Sequence, residues 1–240
     1  MPTLLITGAN RGIGLEFTRQ YAADKWDVVA CCRAPGKAAA LQELAKAHPA
    51  IRIETLDVTN GASIAALADK MKDTPIDILL NNAGIYSGAG GETSAISGDK
   101  SQEFGSLDAA AWEQVLRVNT IAPIMVSEAL VPQLQKGMGK KIINITSRMG
   151  SLTAMKPGSI AYRSSKAALN GAMRAIADTA QAIGLTIVNF HPGWVRTDMG
   201  SARADLTAEQ SVISMRKVIS ALKSENNGQF LNYDGQIIPW

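Results

Sequence analysis

The chain has 240 residues, 46% of them hydrophobic and 19% charged. That balance excludes a disordered or collagen-like polymer, and the length is enough to bury the core of one globular domain. A net charge of +3 without any lysine/arginine cluster interleaved with aromatics argues against a nucleic-acid partner, and no apolar run is long enough to span a bilayer.

Short apolar runs rich in β-branched residues predict strands at Thr3–Thr7, Asp27–Cys32, Ile51–Leu56, Ile76–Leu80, Lys141–Ile145 and Leu185–Phe190, with a weaker one at Gln229–Leu231. Between them apolar residues recur at helical spacing: Ile13, Phe17 and Tyr21; Leu41, Leu44 and Ala45; Ile64, Leu67, Ala68 and Met71; Trp112, Val115, Leu116 and Val118. This alternation predicts an α/β fold, a Rossmann-like doubly wound sheet of about seven parallel strands with helices on both faces. No internal repeat or Pro/Ser-rich linker interrupts it, so residues 1–240 are expected to form a single dinucleotide-binding catalytic domain.

Two segments read as loops, Tyr86–Gly105 and Gly200–Leu206. Both follow strands and are expected at the carboxyl rim of the sheet, where ligands bind, as substrate walls or lids. A tolerated surface insertion is the alternative for the first. Met1 leads directly into a strand, with no charged leader. Cys31 and Cys32 are adjacent, so both are read as reduced thiols and the chain as cytoplasmic. With His48 and His191 as its two histidines and no Cys/His cluster, the sequence predicts no metal site.

The first strand runs into TGANRGIG, Thr7 to Gly14. Gly8 permits a tight turn, Gly12 lets a diphosphate approach the backbone, and Gly14 lets the following helix pack on the sheet. Asn10, Arg11 and Ile13 complete the turn, and the helix N-terminus offers N–H groups and a positive dipole end to phosphate. A glycine pattern alone is weak; its place after an N-terminal strand makes the dinucleotide reading strong. At the end of the second strand an acid would bind the ribose 2′-hydroxyl and repel a 2′-phosphate. Cys32 and Arg33 stand there instead, and Arg11 adds a second cation, which favours NADPH over NADH. A solvated surface arginine is the alternative for Arg33. Asp57, followed by Val58, is a candidate acceptor for the adenine amino group, or else a turn residue. Asn82, Ala83 and Gly84 of NNAG supply small residues near the adenosine, or else a simple turn.

Tyr162 and Lys166 are four apart in a helical segment, so their side chains share one face. An ammonium nearby lowers a phenol's pKa and suits it to acid–base work near neutrality. Ser147 closes the fifth strand and can donate to a carbonyl oxygen. It has no Gly-x-Ser-x-Gly context and no histidine partner, which argues against a hydrolase. Asn119 is a polar residue in an apolar helix; a satisfied core amide is its plainer reading.

TGANRGIG, NNAG, Asn119, Ser147, YRSSK and HPGWVRT occur in this order, and the sequence resembles the short-chain dehydrogenase/reductase family in its single-domain branch. AYRSSKAALN, HPGWVRTDMG and YDGQIIPW resemble the C-factor and sniffer group of carbonyl reductases within it. The resemblance implies that Tyr162 protonates a carbonyl oxygen and that Ser147 orients it. It implies that Lys166 depresses the tyrosine pKa and holds the nicotinamide ribose. Asn119 would hold a water linking Lys166 to solvent, while Pro192, Gly193, Val195 and Thr197 would flank the nicotinamide and diphosphate. Candidate walls are Tyr86, Met149, Trp194, Met199 and residues of the Tyr86–Gly105 loop; apolar walls point to a hydrophobic aldehyde, ketone or quinone as the small-molecule substrate, and core packing is the alternative for these side chains. The implied assembly is a homodimer or homotetramer through two long helices, about Leu107–Leu134 and Ser159–Ile183. Ser147 and Tyr162 are fifteen apart, slightly longer than the family's usual spacing, which bears on the pocket more than on the triad. The alternative is a nucleotide-binding regulatory or developmental signalling protein that kept the fold. The complete catalytic set argues against it, and the absence of a C-terminal nucleotide domain argues against a sugar-nucleotide epimerase.

Overall fold

Consecutive residues of each central strand feed two different apolar layers. Leu4, Ile6, Val28, Ala30, Ile78, Leu80, Ile143, Ile145, Val188 and Phe190 enter one layer, while Leu5, Val29, Leu79, Ile142 and Ile187 enter the other. Strands apolar on both faces require cover on both faces, and right-handed crossovers supply it. The computed structural model describes residues 1–87 and 102–240. Its strands are β1 (Thr3–Thr7), β2 (Asp27–Cys32), β3 (Ile51–Thr55), β4 (Ile78–Asn81), β5 (Lys141–Ile145), β6 (Thr186–His191) and β7 (Gln229–Asn232). They form one parallel sheet in the order β3-β2-β1-β4-β5-β6-β7. The chain leaves β1 towards one edge and β4 towards the other, so the switch point lies between them and opens a crevice at their carboxyl ends.

Helices α1 (Gly12–Ala23), α2 (Ala39–Ala47), α3 (Gly61–Lys70) and α4 (Ala109–Leu116) follow the predicted spacing. The single helix expected over 107–134 is instead broken. After α4 comes a π turn, Arg117–Ile121, then α5 (Ala122–Ala129) and α6 (Val131–Lys136). Pro123 and Pro132 stand in the first turns of α5 and α6. A proline has no N–H for the carbonyl four residues back, so Asn119 loses its α-helical acceptor role, and Ala122 N–H reaches Arg117 O to close the wider turn. Helix α7 (Ile160–Ala182) matches expectation closely. Helix α8 (Ala208–Ala221) was not foreseen, although its signal is in the sequence. Thr207 and Gln210 form a capping box, and Val212, Met215 and Ile219 are its buried stripe. No helix among the described residues is long and apolar enough to cross a membrane.

Candidate active site

The crevice at the switch point begins at the glycine turn. Helix α1 starts without a side-chain cap, so its first-turn N–H groups are available to a ligand. Gly14 is dictated by contact. A Cβ there would stand 2.2 Å from Gly8 O and 2.5 Å from Asn82 Nδ2. Asn82 holds that junction together, since its Nδ2 donates to Thr7 O and Gly8 O, each at 3.0 Å. Thr7 Oγ1 returns the link by accepting Asn82 N–H at 3.1 Å and Ala83 N–H at 3.0 Å. Asn82 is thus a clamp between β1 and β4.

Gly8, Asn10, Arg11, Gly12, Ile13 and Gly14 line the cleft, and so do Arg33, Asp57, Val58, the 82–84 run, Tyr162, Lys166, Pro192 and Thr197. Asp57 Oδ1 accepts both Thr59 N–H (2.9 Å) and Thr59 hydroxyl (2.7 Å). Those bonds, helped by the charge of Arg33, hold its carboxyl below the ordinary value. Asp57 therefore builds the turn, as its plainer reading had it, and also faces the cleft. Arg11 pairs with Asp198 at 3.6 Å, both largely exposed.

At the far end, Tyr162 and Lys166 project from the first two turns of α7, and both are buried. Lys166 Nζ donates to Ile145 O at 3.0 Å and lies 5.8 Å from the centre of the Tyr162 ring. Ser147 lies close enough to the Tyr162 hydroxyl to pull its pKa down, and its Oγ accepts Met149 N–H at 3.1 Å. The fifteen-residue spacing is taken up by the turns between β5 and α7; Tyr162 and Lys166 line the cleft, and Ser147 directly follows the lining residues Ile145 and Thr146. The protonation of Tyr162 and Lys166 differs from the sequence expectation. Burial pushes the Tyr162 phenol up to about 12, against the pull of Ser147, with the Tyr86 hydroxyl pushing the same way as burial. Burial draws Lys166 down to about 8. In the chain alone, desolvation outweighs the ammonium that was expected to depress the phenol.

Asn119 is fully buried in the π turn. Its Nδ2 donates to Ile85 O (2.8 Å) and Ser165 Oγ (3.0 Å), and its Oδ1 accepts Ile85 N–H (2.9 Å). The same Oδ1 borders the space in front of Lys166. A Cβ on Gly84 would stand 3.3 Å from it and 3.6 Å from Lys166 Nζ, so glycine leaves that space open.

Of the residues assigned to the site, Gly193, Val195, Ser147 and Asn119 are not among those lining the cleft. Val195 is buried and bridges Leu206, and Gly193 packs under Leu206 and Tyr233. The segment expected as a second lid is folded back, because Arg196 N–H donates to Leu206 O and Leu206 N–H to Trp194 O. Most of the first, residues 88–101, falls outside the described residues. Of the expected walls, Met199 lines the cleft, Trp194 is substantially exposed, and Tyr86 packs on Tyr162. Thr59, Ile145, Thr146 and Asp198 also line it and were not foreseen. Ile145 and Thr146 could have been, because they immediately precede Ser147 at the carboxyl end of a strand beside the switch point.

Fold and cleft together place the chain in the Rossmann-type class of parallel nucleotide-binding sheets. Within that class, the family model described as short chain dehydrogenase matches residues 2–207, and the chain belongs to that family. Among its relatives, C-signal of Myxococcus xanthus is 39% identical over 176 residues, 73% of this chain and 99% of that protein. NADPH-bound carbonyl reductase from chicken fatty liver superposes with a TM-score of 0.88 at 36% identity, over 100% of this chain and 99% of that one. The carbonyl reductase Sniffer of D. melanogaster superposes with a TM-score of 0.87 at 32% identity, over 100% of both chains.

Proposed function

We propose that this protein is an NADPH-dependent carbonyl reductase acting on a hydrophobic aldehyde, ketone or quinone. The observation that carries the reading is that Tyr162 and Lys166 line one end of a cleft, with Ser147 directly after its lining residues Ile145 and Thr146, while the other end offers an uncapped helix N-terminus and Arg33. The cleft suits a dinucleotide phosphate: backbone N–H groups and two arginines at one end, open space before Lys166 at the other. The NADPH bound to the chicken-liver neighbour supports the same cofactor here.

When bound, the dinucleotide supplies hydride to the carbonyl carbon. The remaining tasks fall to the chain. Tyr162 keeps its proton over the whole working pH range, so it is ready to donate to the carbonyl oxygen as negative charge gathers there. Ser147, beside the same hydroxyl, holds that oxygen in line. Lys166 is anchored to Ile145 O by one of its three N–H bonds, leaving the others for ribose hydroxyls at the cleft wall. Its charge, still present at pH 7, stabilises the phenolate left behind. Asn119 Oδ1, beside that ammonium, is placed to hold a water on the route by which Tyr162 regains its proton.

The test is titration of the protein with NADPH and NADH, followed by nicotinamide absorbance against a panel of carbonyl compounds. NADPH oxidation is expected with at least one member. Tyr162→Phe should cut turnover by roughly 10³-fold, about 4 kcal/mol, with NADPH affinity unchanged. The likeness to C-signal favours one other outcome: tight NADPH binding without turnover on any carbonyl, which transfers the reading to a signalling protein.

A further inference from the structure

Helix α7 delivers Tyr162 from its first turn, the part of a helix that frays most readily. The residue placed to cap that turn does not do so. Ser159 has a left-handed backbone, φ 52°, and its side chain makes no capping hydrogen bond. Its hydroxyl pairs instead with the Tyr86 hydroxyl at 2.6 Å. The Tyr162 N–H, one of the N–H groups a helix start leaves without a partner, is taken by a residue sixty positions earlier: it donates to Gln102 Oε1 at 2.9 Å. Gln102 is 2% exposed, and its Nε2 donates to Tyr86 O at 3.0 Å. Tyr86 then closes the circuit, because its ring lies against the Tyr162 ring with centroids 5.0 Å apart. The backbone and the ring of Tyr162 are thus held by the same two neighbours.

We propose, on the reductase reading above, that Gln102 and Tyr86 are positioning residues for Tyr162: Gln102 substitutes for the absent local cap, and Tyr86 fixes the direction of the phenol. A helix cap needs an acceptor alone. The buried Gln102 amide instead spends donor and acceptor on two different tyrosines, which ties the start of α7 to the backbone of Tyr86. A general acid tolerates little displacement, and a shift of about 1 Å costs on the order of a hundredfold in rate.

The test compares Gln102→Met, which removes the hydrogen bonds to Tyr86 and Tyr162 at similar bulk, with Gln102→Glu, which keeps an oxygen for the Tyr162 N–H. Two readouts are taken on NADPH-loaded protein: the kcat and KM split, and the ring-carbon NMR signals of 13C-labelled tyrosine. The chain has four tyrosines, so each signal can be assigned by single replacement with phenylalanine. Gln102→Met is expected to lower kcat by about ten- to a hundredfold with KM for NADPH unchanged. The Tyr162 and Tyr86 signals shift while those of Tyr21 and Tyr233 stay. Gln102→Glu recovers part of kcat. Tyr86→Phe, which retains the ring and loses the hydroxyl with its Ser159 link, shifts the Tyr162 signal in a fold that tolerates the change. Unchanged kcat and an unchanged Tyr162 signal in Gln102→Met would overturn the proposal, as would a uniform shift of all four signals. Signals that move as expected in a protein that turns over no carbonyl uphold the positioning and overturn the reductase reading alone.

Discussion

At the dinucleotide end of the cleft, most contributions come from a strand end and the turn that follows it: Thr7–Gly14 after β1, Arg33 after β2, Asp57–Thr59 after β3. The hydrogen bonds there are short in sequence, as between Asp57 and Thr59, with Asn82 as the long-range clamp. At the catalytic end, the defining bonds join residues far apart: Tyr162 to Gln102 across 60 positions, Asn119 to Ile85 across 34 and to Ser165 across 46. The two ends solve different problems. A diphosphate is met by backbone N–H groups whose direction a short glycine turn already sets. A proton donor must be aimed as a side chain, buried and within hydrogen-bond reach, and only packing from several elements can aim it.

The largest effect expected in sharpening that contrast is at Gly14. The contact of its missing Cβ would be with backbone, Gly8 O at 2.2 Å, which has no rotamer by which to yield. Gly14→Ala should destabilise the fold by about 2–3 kcal/mol, read from the urea midpoint. It should also weaken NADPH binding at least tenfold while leaving the Tyr162 ring signal in place. Equal disturbance of both ends would show that the cleft moves as one body, and the contrast would fall.

The same contrast explains what could be read from residues alone. The seven strands, the glycine turn and the Tyr–Lys pair all carry local periodicity or spacing, and they appear where expected, apart from shifts such as β4 running over Ile78–Asn81 instead of Ile76–Leu80. Asp77 explains that shift. Its carboxylate accepts N–H groups from Thr3, Met138 and Gly139, a corner at the amino edge of the sheet. The broken helix at 117–122 was hidden because Trp112, Val115 and Val118 keep helical spacing up to the π turn, and the break is imposed by Pro123 beyond it. Gln102 has no local signature at all. Its partners are 16 and 60 residues away, and nothing in the residues around it marks it as a cap. The phenol's upward shift was likewise illegible, because it depends on burial and not on the neighbouring lysine.

Lys166 tests the catalytic end by pH. In the unfolded chain its ammonium titrates near the ordinary 10.5; in the folded, cofactor-free protein burial lowers it to about 8. Between those values the unfolded state binds the proton and the folded state does not, so this residue makes stability rise as pH increases from about 8 to 10.5. Below pH 8 both states carry the charge and the contribution is flat at its least favourable value. The rise is on the order of 3 kcal/mol. Lys166→Met should remove it, so the wild-type urea midpoint should rise relative to that of the variant on going from pH 8 to 10. A constant difference would mean that the ammonium keeps its proton in the fold. The ribose hydroxyls would then meet a lysine solvated better than its burial implies.

Arg33 carries the smallest expected effect and the most selective one. It is exposed at the cleft edge, after the buried Cys32 and near Asp57, whose carboxyl it helps to hold low. A guanidinium there gains a charge-assisted contact only when the ribose bears a 2′-phosphate. Arg33→Ala should therefore weaken NADPH binding by about 1–2 kcal/mol, roughly five- to thirtyfold, and leave NADH binding as it was. The wild-type preference for NADPH should also decline with added salt, and more steeply than in the variant, because the contact is solvent-facing. Arg11 remains on the far side of the turn, paired with Asp198 at 3.6 Å, so some preference should survive. Equal loss for both cofactors would instead make Arg33 a support of the β2 turn. The dinucleotide end would then draw its affinity from backbone alone, and the choice of cofactor would have to be sought on Arg11.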